Sequence, residues 1–293
     1  MKRIFLFFLT NILVMLSVIV VYNLLAAAGL VPQGYYGNIL VFSLLIGFGG
    51  SFISLLLSKW MAKTMMGVQI VDSRGQFAPL VHKVHTLAKQ AGLPKMPEVG
   101  VYESAEVNAF ATGPSKSNSL VAVSTGLLQR MDDEEVHGVL AHEVSHIANG
   151  DMVTMTLIQG VVNAFTYMVS IVVTNAIASV LRGDSNRGIA DNWFIRQIIF
   201  SAVYGLVAFM AYPLVAAFSR WREYRADAGG ARLAGQGTMI ASLRKLQGHV
   251  DKVETQEAAF QSMKISNKVT FSELFSTHPP LEKRIRALET KSR

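Results

Sequence analysis

Residues 142–146 read His-Glu-Val-Ser-His, and their spacing implies a chemistry. On an α-helix, positions four apart lie about 400° round the axis, so both imidazoles project from one face and can share a metal ion. Glu143 stands about 100° further round than His142, where its carboxylate reaches a water beside the metal. That suits a general base: zinc brings the pKa of such a water towards neutrality, and the glutamate takes its proton as the oxygen attacks a polarised carbonyl. A catalytic zinc needs three protein ligands and an open fourth position. The chain has no cysteine, and "HIANGDM" at 146–152 supplies no further histidine, so the third ligand must come from far along the sequence. The segment "SRWREYRADAGGARLAG" at 219–235 offers Glu223 and Asp227 four apart. Glu223 fits as ligand and Asp227 as acceptor for a ligand imidazole N–H. The competing reading of acids among arginines is a solvated, salt-bridged helix.

The helix that must carry the histidines has its own signals. Asp132 opens it, and Glu135 three residues later completes a capping-box pattern. Val136, Val139, Leu140, Val144 and Ile147 recur at helical spacing and predict a buried stripe. Asn149–Gly150 is the expected stop. Upstream, a helix is predicted over 79–91. Short β-forming runs follow at 97–103, 108–113 and 119–126, a small sheet with turns at Ser104–Ala105 and at "GPSKSNS".

Of 293 residues, 51% are hydrophobic and 16% charged, a profile of membrane proteins more than of soluble enzymes. The net charge of +7 comes without an aromatic-basic patch, which argues against nucleic acid as a partner and for charge distributed around apolar segments. No charged residue falls between Arg3 and Lys59, room for two spans of about 20 residues. They are predicted at 4–28 and 39–57, broken by "GLVPQGYYGN". An A-x-A site at Ala26–Ala28 raises the alternative of a cleaved signal, but the run exceeds the roughly 7–15 residues of a signal core. Two more uncharged runs cover 152–181 and 197–219. None of the four holds an ionisable residue in its interior, which argues against a transporter.

Lys2, Arg3, Lys59, Lys63, Arg220, Arg222 and Arg225 flank one side of the spans. By the positive-inside rule both termini, residues 59–151 and the active site face the cytoplasm. Trp60, Trp193 and Trp221 sit at run ends as interfacial anchors. Arg182, Arg187 and Arg196 resist this scheme, so full and partial insertion both stay open for the second hairpin. The expected fold is a membrane α+β protein: four hydrophobic helical segments in two hairpins, with a zincin-like cytoplasmic catalytic domain of helices and a small β-sheet. The divisions are 1–58 (first hairpin), 59–151 (catalytic part with the HEVSH helix), 152–219 (second hairpin) and 220–293 (helical part with the third ligand). An even number of crossings separates 146 from 223, so Glu223 can meet the histidines.

HEVSH, the distant E-x-x-x-D at Glu223–Asp227, four hydrophobic runs, "NAFATG", "THPP", "FGGSF" and "LIQGVVN" together resemble the HtpX branch of the family that also contains the type I CAAX prenyl proteases, membrane zinc metalloproteases of the gluzincin clan. The resemblance covers essentially the whole chain. It implies a multi-pass, zinc-dependent endopeptidase of the bacterial cytoplasmic (inner) membrane, with one zinc ion per chain. It also implies misfolded membrane proteins or peptides as substrates and a role in stress response. It makes Glu223 the third ligand and suggests transition-state roles for Asn108 and His278. Read from sequence alone, Asn108 is also a turn residue entering a strand, and His278 a helix-entry residue before Pro279–Pro280. His82, His85, His137 and His249 have no motif partner and default to the surface. The "NAFATG" strand, if at a sheet edge, can pair with an extended peptide. The acidic "MDDEEVHG" start of the metal helix belongs in water, not within a span. A second class of function stays in view, a membrane scaffold that binds zinc without turnover.

Overall fold

The computed structural model describes residues 35–182, 192–258 and 274–290, with six isolated positions between 20 and 29. The predicted first span, 4–28, therefore lies almost wholly outside the described residues. Eight helices are described: α1 (Tyr35–Met65), α2 (Ala78–Gln90), α3 (Thr125–Arg130), α4 (Asp133–Asn149), α5 (Asp151–Arg182), α6 (Trp193–Ala234), α7 (Gln236–Ala258) and α8 (Leu281–Thr290). Four strands accompany them: β1 (Gln69–Val71), β2 (Glu98–Tyr102), β3 (Ala109–Ser115) and β4 (Asn118–Ser124). The chain divides into two units, one of residues 1–54 and 155–215, the other of 55–154 and 216–293.

The described part of the first unit is helical and apolar outward. Leu44, Phe52, Val161, Phe165, Leu206, Phe209 and Leu214 are all exposed, a surface suited to lipid rather than water. Among the described residues three helices are long and apolar enough to cross a membrane, over Gly37–Met65, Asp151–Leu181 and Trp193–Ala234. Two hydroxyls buried among them bond back along their own helices, Ser51 to Gly47 O at 3.0 Å and Ser170 to Thr166 O at 2.6 Å, as such groups do where water is scarce. Gly160 admits the Phe48 ring, which a side chain there would meet at 2.6 Å. At 42 residues α6 is about 63 Å long, roughly twice the hydrocarbon thickness.

The second unit is built on a mixed sheet in the order β1-β2-β4-β3. Strands β2 and β4 pair in parallel, while β1–β2 and β3–β4 are antiparallel. Alternation along the strands sends Val99, Val101, Val121 and Val123 to one face, against Leu80, Val84 and Leu87 of α2 and Leu140, Val144 and Ile147 of α4. The other face carries Tyr102, Leu120 and Ala122 over Ala62 and Val68. Burying each such Leu or Val contributes about 1.5–3 kcal/mol. Lys59 and Lys63 at the end of α1 both reach Glu98 of β2, at 2.9 and 2.7 Å. They hold its carboxyl below the ordinary range against the opposing effect of burial. A satellite core joins Met239 and Leu243 of α7 to Ile285 and Leu288 of α8.

The predicted sheet is present with one strand more. Strand β1 has three residues, too few for an alternation to register. The composition change at 219–220, where the sequence divides an apolar run from a polar helix, leaves the backbone of α6 continuous. Helical hydrogen bonding is indifferent to side-chain polarity, and no breaker stands at that point.

Candidate metal centre

The capping box at the start of α4 is formed in full. Asp132 Oδ1 accepts from the backbone of Glu134 and Glu135 at 3.0 and 2.8 Å, and Glu135 Oε2 accepts from Asp132 N at 2.9 Å. Gly150, with φ of 73°, ends the helix in the left-handed conformation. All five residues of the apolar stripe are buried, and this fixes which face of α4 turns away from the core.

On that face His142 Nε2 and His146 Nε2 lie 3.1 Å apart. Glu223 of α6 meets them, Oε2 at 3.5 Å from His142 Nε2 and Oε1 at 3.4 Å from His146 Nε2. Ligands at roughly 2.0–2.2 Å from a tetrahedral zinc stand about 3.3–3.5 Å from one another, and these separations are of that order, with the two edges to Glu223 ending on different oxygens of its carboxylate. The outward nitrogens are also engaged. His142 Nδ1 donates to Asp227 Oδ1 at 2.9 Å and His146 Nδ1 to Asp151 Oδ2 at 2.6 Å. With Nδ1 as donor, each Nε2 keeps its lone pair for the shared point, the arrangement that orients imidazoles for a metal. Among the described residues, His142, His146 and Glu223 are the one group placed to hold a metal ion. His82, His85, His137 and His249 lie elsewhere.

Small residues bring α6 this close. A side chain on Gly229 would meet Ser145 Oγ at 2.7 Å, and one on Gly230 would meet Met239 Sδ at 2.8 Å and His142 N at 3.2 Å. Helix α7 clamps α4 from a further side: Ser242 Oγ donates to Glu135 O at 2.8 Å and Thr238 to Glu134 at 2.9 Å.

Burial disfavours the charged form of His142, yet the Asp227 and Glu223 carboxylates outweigh it and raise its pKa to about 9. His146 is likewise depressed by burial and raised more strongly by Asp151 and Glu223. These are proton sites that a cation can take over.

Beside the triangle lies a cavity of about 180 Å³, lined by Asn108, Glu143, His278 and Arg284 with apolar walls from Leu127, Val139, Met239 and Leu243. Every residue singled out from the sequence is thus drawn to one place. His278 also touches the Glu223 carboxylate, Nδ1 to Oε2 at 3.0 Å, while most of its side chain stays exposed. A larger cavity, about 400 Å³, lies in the other unit among Tyr167, Thr174, Asn175 and Arg196 and holds none of these groups.

Two participants escape the sequence reading. Asp151 follows His146 by five residues across a helix break, where periodicity gives no guidance. Arg284 is buried with its guanidinium on Asp227. Its signal is that position 284 falls inside the apolar stripe Leu281, Ile285, Leu288, where an unpaired charge does not belong.

Residues 75–292 match the family model of Peptidase family M48. The chain is 49% identical to "Protease HtpX homolog" of Bacillus licheniformis, with 99% of both chains covered. It is 48% identical to "Protease HtpX" of Shewanella sp. strain MR-4, over 99% of this chain and all of that one. The crystal structure of S. mikatae Ste24p superposes with a TM-score of 0.62 at 17% identity, over 96% of this chain and 66% of that one, a likeness of fold. A protease acts on peptides or proteins, and a metallopeptidase family implies a metal, for which the His142–His146–Glu223 triangle is suited. The chain belongs to Peptidase family M48, among its HtpX proteases, and is a membrane metalloprotease.

Proposed function

We propose that the chain is a zinc-dependent endopeptidase of the bacterial cytoplasmic membrane that cuts misfolded or damaged membrane proteins where they emerge into the cytoplasm. The observation that carries the metal assignment is the triangle of His142 Nε2, His146 Nε2 and the Glu223 carboxylate, with edges of 3.1–3.5 Å. Two imidazoles and one carboxylate form a donor set that favours zinc, one ion per chain. A bound zinc ion supplies a Lewis acid that polarises the scissile carbonyl and acidifies the attacking water.

The chain's own groups do the rest. Glu143 takes a proton from the attacking water at its carboxylate and returns it to the departing amine nitrogen. Asp227 holds His142, and Asp151 holds His146, with Nε2 turned inward. Asn108 and His278 flank the reacting carbonyl and donate to its oxygen as negative charge develops. Strand β3 is an edge of the sheet among the described residues, and Asn108 just before it and Ala109 at its start line the cavity. An extended substrate that adds to this edge would pair with main-chain groups next to the catalytic residues, giving affinity with little sequence preference.

The cytoplasmic placement rests on the arginines and lysines flanking the apolar runs and on the exposed acidic start of α4. The divisions at 58, 151 and 219 rest on the same composition changes. Substrate choice follows from proximity: α4 ends at Gly150 and the apolar α5 begins at Asp151.

The test is cleavage of an unfolded protein by detergent-purified chain, stripped of metal and then given zinc, beside Glu143→Gln. Zinc should restore cutting by the wild type. The variant should retain zinc and lose about 10²–10⁴-fold in rate. Equal zinc binding with no cutting by either protein would instead support the scaffold reading.

A further inference from the structure

Arg284 is 6% exposed and belongs to α8, which docks on α7 through Ile285 and Leu288. Burying a guanidinium is costly unless it is paired and hydrogen-bonded, so its partners indicate its use. Nε donates to Asp227 Oδ2 at 2.8 Å and Nη2 to Asp227 Oδ1 at 2.6 Å, a two-pronged fork that fixes the plane of a carboxylate. The same Oδ1 accepts from His142 Nδ1 at 2.9 Å. Other approaches of the guanidinium are longer: Nη1 stands 3.4 Å from Glu223 Oε2, and Nη2 3.4 Å from His142 Nδ1. The close contacts run in one line, from Arg284 through Asp227 to His142.

An unclamped aspartate can turn about its terminal torsion, and an imidazole bonded to it turns too. A forked aspartate presents one oxygen in one direction. We propose that Arg284 is a positioning residue for the metal: by clamping Asp227 it fixes the direction of His142 Nε2, so that metal affinity depends on the docked C-terminal helix. This rests on the reading that His142, His146 and Glu223 hold zinc. It separates the two imidazoles: His146 is oriented by Asp151, its near neighbour in the chain, whereas His142 is oriented by a residue 142 positions away. Gln236 helps to hold that distant element, donating to Leu288 O at 2.7 Å.

Arg284 also lines the cavity, so the rival role is direct contact with substrate. The two roles differ in what they move. The experiment measures the zinc dissociation constant by chelator competition on the full chain in detergent, for wild type, Arg284→Lys, Arg284→Met, Asp227→Asn and the Arg284→Met/Asp227→Asn double variant. Arg284→Met should weaken zinc by about 10–100-fold, as loss of an orienting partner does, and should change the visible spectrum of the cobalt-substituted protein. Lysine keeps the charge without the fork and should fall between. In the Asp227→Asn background the Arg284→Met effect should largely vanish, since Arg284 then has no carboxylate to act through.

Unchanged zinc affinity in both Arg284 variants, with only KM for a peptide raised, would overturn the proposal in favour of substrate contact. Effects that add in the double variant would overturn it too. If Arg284→Met fails to fold, Arg284→Lys decides alone, and wild-type affinity there rejects the idea. A wild type that binds no zinc is a different failure, that of the metal site itself, and the inference falls with it.

Discussion

The candidate metal centre has two halves built by different means. His142, His146 and Asp151 come from ten consecutive residues, and their geometry follows from one helix and its stop. Glu223, Asp227 and Arg284 come from two further helices, and they arrive only because α6 packs closely on α4 and α8 docks on α7. The local half is preorganised by backbone hydrogen bonds, whereas the assembled half depends on tertiary packing. Proton and metal affinity should register the difference, because each histidine takes its orientation from a different half.

The largest expected effect is of pH. His142 has a pKa raised from 6.5 to about 9 in the metal-free site. Its protonated form therefore stabilises the metal-free protein fully below about pH 6.5, and that contribution is lost as pH rises through about 9. A zinc ion held there must displace the proton, so its affinity runs the other way, falling at least about tenfold per unit below pH 9 and more steeply where His146 is protonated too. Between pH 9 and pH 6 the loss reaches at least about 10³-fold, measurable by chelator competition, while the melting temperature of the metal-free protein rises. Asp227→Asn should move the break in the affinity profile to lower pH. An unmoved break would mean that the assembled half does not set this proton.

Next come the two orienting carboxylates. Asp151→Asn and Asp227→Asn should each weaken zinc by about 10–100-fold. Only the second should share its effect with Arg284. A urea series on the metal-free protein sharpens the contrast, since loosening α8 should add to the Asp151→Asn defect and change little in Asp227→Asn.

The same division explains what the sequence discloses. The HEVSH helix is legible because its determinants are all local: the capping box at Asp132, the stripe from Val136 to Ile147, and the i, i+4 pair. Glu223 is not legible locally: elimination and the count of crossings make it a candidate, and the family resemblance makes it the third ligand. Arg284 is hidden because its partner, Asp227, is 57 residues distant and nothing in the THPPLEKR run names it. The reason α6 can approach lies in Gly229 and Gly230, which in a helical sequence read only as weak helix formers. Strand β1 is missed because three residues carry no period. Local physics is written in windows of a few residues, whereas packing is not.

Gly230→Leu tests that packing directly. The new side chain meets Met239 and the His142 backbone, so the helices must part, at about 1–3 kcal/mol. Thermal unfolding of the metal-free protein reads the cost, and zinc affinity should fall with it because Glu223 moves away from the histidines. Retained affinity at reduced stability would show that α6 can shift without carrying Glu223 off.

The smallest effect belongs to the far end of α4. Asp132→Ala removes the side chain that caps Glu134 N and Glu135 N, and loss of such a cap costs about 1 kcal/mol. The histidines lie ten residues and almost three turns away, beyond the fraying that one lost cap causes. Between them and the cap stand the bond from Ser242 to Glu135 O and the buried Leu140. Chelator competition should therefore give wild-type zinc affinity even as the melting temperature falls. If affinity drops as well, α4 transmits strain along its length, and the local half of the site is less self-sufficient than its hydrogen bonds indicate.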